Sequence, residues 1–261
     1  MDEFNAEGID LEKEAEEWEI EKAQRRKRRK FFMKLISSFL VFAMLITGLS
    51  VWIDLFNLPA IQFVKVSNRL SKQLEVKNYK NAVVTLEWNG VKGTGFNIAP
   101  DGLIVTNQHV VSGTNRVNIQ FNNGTAFVGK VVAANPDVDL AIVDIDAEDK
   151  LPVLPIAPEK DWVKWEGKKF IFIRNPLSFT QIANEGELIG KVQLPDWDVP
   201  VMMLKAPIYK GNSGSPVINQ DGEVIGVIFA TLQDPEMKEK ETIGAAVPAY
   251  YIKALLPQGQ N

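Results

Sequence analysis

The 261-residue chain has no cysteine and a single histidine, His109. Without cysteine there is no disulfide, no thiolate nucleophile and no cysteine zinc site. If the protein is exported, its fold stands without covalent staples. With one histidine, multi-histidine metal sites are excluded, and any mechanism that needs an imidazole base must use His109. An excess of one charge is missing too: 29 Lys and Arg against 33 Asp and Glu leave a net charge of −4. That gives no reason to expect nucleic acid, whose binding needs a basic surface. Nothing calls for a metal or organic cofactor. Charged and apolar fractions of 24% and 46% are ordinary for a globular protein, and the length holds one large domain or two small ones.

The charge is unevenly distributed. Residues 1–24 are acidic and polar, with Glu12, Glu14, Glu16, Glu17, Glu19 and Glu21 close together. They offer little apolar surface and read as a disordered or surface tail. Six consecutive cations follow, Arg25–Lys30. From Phe31 to Ile53 Lys34 is the only charge, and Leu35–Ile53 is an uncharged run of 19 residues. About 20 apolar residues cross a bilayer core as a helix, and Lys34 can snorkel to the headgroups. Cations directly before the span predict a cytoplasmic N-terminus and an outward-facing C-terminal part, with Trp52 at the far interface. The rival is a cleaved signal peptide, with an apolar region of about 7–15 residues and a small-x-small site; Leu49–Ile53 offers no such site. Arg28–Phe32 faintly resembles a twin-arginine export signal. The expected organisation is a cytoplasmic tail (1–30), a transmembrane helix (31–53) and a stem (54–79). In the stem Ile61, Val64, Leu70 and Leu74 are spaced roughly as on one helix face, which packs on the following domain or against other copies of the chain, with docking on its own domain the expectation.

From Lys80 short apolar runs alternate with turns: Ala82–Leu86, Gly95–Ile98, Leu103–Thr106, Val117–Phe121, Ala126–Ala133 and Leu140–Ile145. Asn89-Gly90, Asp101-Gly102 and Asn122-Asn123-Gly124 separate them, and Asn-Gly and Asp-Gly favour tight hairpins. After a break with Pro152, Pro155 and Pro158 a second series runs Lys169–Ile173, Glu187–Val192, Val201–Lys205, Ser215–Ile218, Val224–Ala230 and Gly244–Pro248. Many short strands at this spacing predict sandwiches or barrels. The fold class expected is all-β: two six-stranded antiparallel barrels, about 80–150 and 166–250 within a domain 80–256, preceded by one transmembrane helix. Ala249–Leu256 reads as a short closing helix stopped by Pro257.

Three residues carry the candidate chemistry. Ser213 lies in Tyr209-Lys210-Gly211-Asn212-Ser213-Gly214-Ser215-Pro216-Val217, between apolar runs. Glycines at minus two and plus one let the backbone turn tightly and bring N–H groups beside the hydroxyl, as acyl transfer requires. The same nonapeptide also reads as a plain hairpin turn. His109 ends the run Leu103–Gln108 next to a loop, where a lone histidine is also simply structural. Asp139 directly precedes the apolar strand Leu140–Val143. A carboxylate there is tolerated in a partly buried place only with a partner, and the only imidazole is a candidate; capping the strand is the other reading. The order His, Asp, Ser, with the first two in one barrel and the serine in the next, is that of the chymotrypsin arrangement.

Gly93-Thr94-Gly95-Phe96, Thr106–Val111, Asp139–Val143, Asn175-Pro176-Leu177 and Gly211–Pro216 together resemble the signature segments of the HtrA/Deg trypsin-like serine proteases, over about residues 80–250. The resemblance implies a chymotrypsin-type double barrel and an endopeptidase acting on misfolded or exported polypeptides. It implies Ser213 as nucleophile, His109 as general base and then acid, and Asp139 as the group orienting His109. Gly211 and Ser213 would supply the oxyanion-hole N–H groups, with Asn212 shaping that loop. Ile208, Ile228, Phe229 and Ala230 would line the P1 pocket, where no acid stands, so a small or medium aliphatic P1 is expected; Ile208 as plain core is the alternative. The sequence departs from the family at Ser215 and Arg174, both usually glycine. Ser215 would be strained if that position needs φ > 0, and Arg174 would reshape the neighbouring loop or bind an acidic partner. No PDZ domain fits in the dozen residues after Pro248. Loops 175–186 and 231–242 are candidate lids that order with substrate, and Asp234–Glu241 reads as a solvated loop tip. A homo-oligomer is among the expectations, since trimers are common in the resembled family. An exterior face without disulfides fits a bacterial cell membrane. Two other functions are open to the same residues: a catalytically silent binding module on the same barrels, and a membrane-tethered adaptor recruiting through its acidic tail.

Overall fold

The computed structural model describes residues 18, 22, 24–47, 65–158, 160, 162–174, 181–195, 197–208, 211–232 and 243–256. The chain forms two compact units, Met1–Ala60 and Ile61–Asn261. The first is described by helix α1, Gln24–Thr47. Its 24 residues rise about 36 Å at about 1.5 Å each, and its apolar side chains, Phe39 and Met44 among them, are exposed. By length and composition α1 can cross a membrane. It starts earlier than the apolar run, because Arg25–Lys30 belong to the helix. The acidic tail apart from Trp18, Lys22 and Gln24, and the far end of the expected span with Trp52, lie outside the described residues.

The second unit opens with two short helices, α2 (65–70) and α3 (Leu74–Ala82). The turn at 71–73 breaks the helical spacing expected through the stem. Leu70 and Val76 are buried, whereas Leu74, at the first position of the new helix, is 73% exposed. The proposed face containing Leu74 is therefore corrected; Ile61 and Val64 lie outside the described residues. The segment is fixed on the domain by polar links as well. Lys80 Nζ donates to the Gln181 carbonyl (2.6 Å) and to Ser71 Oγ (2.8 Å), and Arg69 pairs with Glu185 at 2.7 Å.

Twelve strands follow. Barrel one holds β1 (Val83–Trp88), β2 (Val91–Asn97), β3 (Leu103–Thr106), β4 (Arg116–Phe121), β5 (Ala126–Asn135) and β6 (Leu140–Asp144). Barrel two holds β7 (Lys169–Arg174), β8 (Ile182–Val192), β9 (Val201–Lys205), β10 (Pro216–Ile218), β11 (Val224–Leu232) and β12 (Ile243–Pro248). Both are closed, with orders β1-β2-β3-β6-β5-β4 and β7-β8-β9-β12-β11-β10, so one topology is used twice. The Asn89-Gly90 signal forms the expected hairpin: both residues have positive φ (44° and 81°), and Trp88 pairs with Val91 across the turn.

Strands such as β3 and β12 are buried on both faces, whereas β4 alternates. In β4, Val117, Ile119 and Phe121 point inward while their neighbours are exposed. They join Leu86, Ile104 and Val143 in the barrel-one core; Phe172, Leu188, Met202, Leu204 and Val217 fill barrel two. A third cluster takes the opposite faces: Phe96, Val105 and Ile142 from barrel one, Ile173, Ile218 and Val227 from barrel two, with Leu70 and Val76 of the stem. The barrels thus meet over an apolar seam, and the proline-rich connection is stitched to both. Leu154 N–H donates to the Asn97 carbonyl, and Ala157 N–H to that of Val224, each at 2.9 Å. The chain closes in a 3-10 helix, Ala249–Leu255, rather than an α-helix.

Candidate active site

Asp139 and His109 come together because β3 and β6 pair with Thr106 opposite Ala141. Continuing that register past the strand ends puts the turn after β3, which opens the short helix α4 (Gln108–Val111), beside the residue preceding β6. A 3-10 turn, Pro136–Val138, delivers Asp139 in the left-handed region at φ 46°, ψ 45°, a conformation Asp tolerates better than most residues. From there Asp139 grips the facing turn at four points. Its Oδ2 lies 2.7 Å from His109 Nδ1, and its Oδ1 accepts the His109 backbone N–H at 2.9 Å. Its carbonyl accepts from Asn107 Nδ2 (2.9 Å) and from the Gln108 N–H (3.2 Å). The side chain of Asp139 is 12% exposed and that of His109 48%. A carboxylate only accepts, so Nδ1 carries the proton of this contact.

The Ser213 turn, from barrel two, is held against Thr94 and Thr106 of barrel one. The Thr94 N–H donates to the Ser213 carbonyl at 2.9 Å, and Thr94 Oγ1 to the Gly211 carbonyl at 3.0 Å. Gly214, at φ 83°, lies so close to barrel one that a Cβ there would stand 1.8 Å from the Thr94 oxygen and 2.7 Å from Thr106 Oγ1. Thr106 is three residues before His109, so the serine turn abuts the histidine turn. The Ser213 hydroxyl donates to the Phe229 carbonyl at 3.4 Å. Among the described residues no hydrogen bond joins it to His109. Phe229 is the extra residue of a bulge in β11, where pairing shifts between Ile228 and Ala230, and a bulge of this kind frees a carbonyl from the ladder. The backbone N–H groups of Gly211 (φ 93°) and Ser213 donate to no backbone acceptor among the described residues.

The candidate pocket residues are divided between core and cleft. Ile208 is 3% exposed and belongs to the barrel-two core; its Cδ1 would stand 1.8 Å from a Cβ on Gly244. Ile228 is fully buried, while Phe229 and Ala230 are half-buried. Trp197, from the β8–β9 connection, stacks on Phe229 with centroids 4.8 Å apart and planes at 24°. Two expectations change. Ser215 does not have positive φ, so it carries no left-handed strain. Arg174 is 9% exposed at the end of β7, so it is an interior residue and not a surface cation for an acidic partner. Residues 175–180, 209, 210 and 233–242, with half of the first expected lid, most of the second and the Asp234–Glu241 tip, lie outside the described residues; Ile182–Gly186 of the first lid belong to β8. Sequence reasoning missed the roles of Thr94, Asn107 and Trp197. Thr94 reaches the serine loop across 117 residues of chain, a separation that no local pattern signals.

Comparison with known proteins agrees with this geometry. The trypsin-like peptidase domain family matches residues 93–227. Among curated proteins, the mitochondrial serine protease HTRA2 of Bos taurus is 33% identical over 176 residues, 65% of this chain and 36% of that protein. A DegP-like periplasmic serine endoprotease of Rickettsia prowazekii is 32% identical over 169 residues, 63% of this chain and 32% of that protein. The chain spans 32–39% of the length of such relatives. Among solved structures, the inactive form of Rv3671c from M. tuberculosis H37Rv superposes with a TM-score of 0.59 at 25% identity, covering 71% of this chain and 90% of that one. With just over half of its residues matched by one family, and HtrA and DegP proteins among its homologues, this chain belongs to the trypsin-like peptidase family.

Proposed function

We propose that this protein is a membrane-anchored serine endopeptidase that cleaves unfolded or exported polypeptides through an acyl-enzyme. The observation that carries the reading is the 2.7 Å Asp139–His109 pair, with the Ser213 turn packed on Thr106 three residues before His109. In this mechanism the Ser213 hydroxyl rotates from the Phe229 carbonyl toward His109 Nε2, which takes its proton as Oγ attacks the scissile carbonyl. The Gly211 and Ser213 N–H groups receive the oxyanion. His109 then gives the proton to the leaving amine as the C–N bond breaks. Water, deprotonated by His109, releases the acyl group and restores Ser213. Asp139 keeps the proton on Nδ1 throughout and stabilises the imidazolium.

Ile208 packed on Gly244 and the half-buried Ala230 put apolar side chains and no acid at these positions, which supports a small or medium aliphatic P1 over Lys or Arg. The anchor is α1, with the Arg25–Lys30 cations holding the N-terminus on the cytoplasmic side and the barrels outside a bacterial cell. The test is hydrolysis of an unfolded protein by the full-length chain in detergent, beside Ser213→Ala. Cleavage lost in the variant and P1 preference for small aliphatics support the reading; equal cleavage by both proteins refutes it. A second reading, a silent binding module, is favoured by the Ser213 hydroxyl resting on Phe229. It predicts tight binding of unfolded protein with no turnover.

A further inference from the structure

We infer that Arg174 is a positioning residue for the Ser213 loop, acting through Asn212 and Ser215; this deepens the function proposed above and rests on it. Asn212 is 1% exposed, and among the described residues neither its Oδ1 nor its Nδ2 has a hydrogen-bond partner. Ser215 is fully buried, and its Oγ has none among the described residues either. Both belong to one turn, closed by the Ser215 N–H donating to the Asn212 carbonyl at 2.9 Å. Buried polar side-chain atoms in folded proteins are overwhelmingly partnered. Three orphaned atoms on the two residues flanking the nucleophile and its glycine mark a loop awaiting a donor.

Arg174 is placed to be that donor. It ends β7, with its Nε shut off from solvent. β10 pairs with β7 through Val217 opposite Phe172 and Ile218 opposite Ile171. Carrying that register on by two residues sets Ser215 opposite Arg174. Both then fall on the face that Phe172 and Val217 turn into the barrel-two core. These are also the two positions where the sequence departs from the glycines of the pattern it resembles, and the register makes them neighbours. A guanidinium carries five N–H donors in a fixed fork, while Asn212 Oδ1 and Ser215 Oγ are uncommitted acceptors. In the reactive arrangement Arg174 donates to both. That holds the Asn212 side chain, and with it the Gly211–Ser213 backbone whose N–H groups receive the oxyanion. Arg174 itself touches no reacting atom.

The test uses the full-length chain in detergent and reads the rate of fluorophosphonate labelling per folded molecule, together with kcat and KM on an unfolded protein substrate. Arg174→Met is expected to slow labelling and kcat about 10²-fold, the scale of a misplaced catalytic group, with KM nearly unchanged; Arg174→Lys recovers part of the loss. Asn212→Leu, which removes the acceptor, is expected to reproduce that loss and serves where Arg174→Met does not fold. Asn212→Asp supplies a carboxylate for the guanidinium; it labels at least as fast as wild type alone and slowly when combined with Arg174→Met. Labelling of folded Arg174→Met or Asn212→Leu within about twofold of wild type, a difference too small to reflect lost transition-state positioning, overturns the inference while the proposed function stands. Absence of labelling in the wild type removes both.

Discussion

Gly214→Ala tests the closeness of the two barrels at the site. The added Cβ would stand 1.8 Å from the Thr94 oxygen and 2.8 Å from the Thr94 carbonyl carbon, where carbon contacts are comfortable at about 3.5–4.0 Å. That neighbour is strand backbone and cannot rotate away. The turn is also pinned on its other side, because the Gly214 N–H donates to the Ile228 carbonyl at 2.8 Å. Relief therefore breaks bonds: Thr94 N–H to Ser213, Gly214 N–H to Ile228, or Thr106 Oγ1 to Thr94. Losing two such bonds at about 1 kcal/mol each, plus about 1–2 kcal/mol for alanine held at positive φ, gives a destabilisation of about 3–4 kcal/mol. In a domain of this size that lowers Tm by about 6–16 °C. Gly124→Ala is the matched control, since Gly124 has φ 88° and nothing within 4 Å of the added Cβ. It carries the strain alone, about 1–2 kcal/mol. Circular-dichroism melts of both variants decide the matter. If Gly214→Ala melts with Gly124→Ala, the contact between the serine turn and β2 is wrong, and so is the placement of Ser213 against barrel one.

Asp139→Asn keeps the shape but offers an amide where Nδ1 needs an acceptor; kcat should fall about 10⁴-fold with KM little changed, and a loss below about tenfold would mean that Asp139 does not orient His109. Burial pushes the Tyr251 hydroxyl well above its usual value near 10, aided by its hydrogen bond and charge coupling with Tyr250, and burial raises Tyr79 as well. The unfolded chain then releases these protons first, so their stabilisation is complete below pH 10 and is lost as pH rises beyond it. Tyr251→Phe should flatten that loss in urea melts at alkaline pH. Burial lowers Lys80 below its usual 10.5, so its contribution has the opposite sign: stability rises as pH climbs from the lowered value toward 10.5, and Lys80→Met should remove that rise.

The architecture was largely legible because β-proteins print a period of two and mark their turns. β3 and β9 coincide with the apolar runs Leu103–Thr106 and Val201–Lys205. β8 starts at Ile182, well before the apolar run at Glu187, because Asn184, Glu185 and Gly186 join the sheet through ladder pairing with β7 and not through hydrophobicity. Leu74 was misread because the spacing cannot reveal a turn that restarts the helix. The pairing of His109 with Asp139 followed from there being one imidazole and one carboxylate poised before a strand. Contacts between distant strands were not legible. Thr94 beneath the serine loop crosses from barrel one to barrel two, and Trp197 stacks on Phe229 within barrel two; only the closed barrels make these residues neighbours.

The central claim is that Ser213 is a nucleophile activated by His109. The direct measurement is intact-mass and peptide mapping of the full-length chain after reaction with a fluorophosphonate, with an unfolded polypeptide present. The account predicts one adduct on Ser213, absent in Ser213→Ala and strongly reduced in His109→Ala. A folded chain that gains no adduct, or gains it elsewhere, contradicts the account.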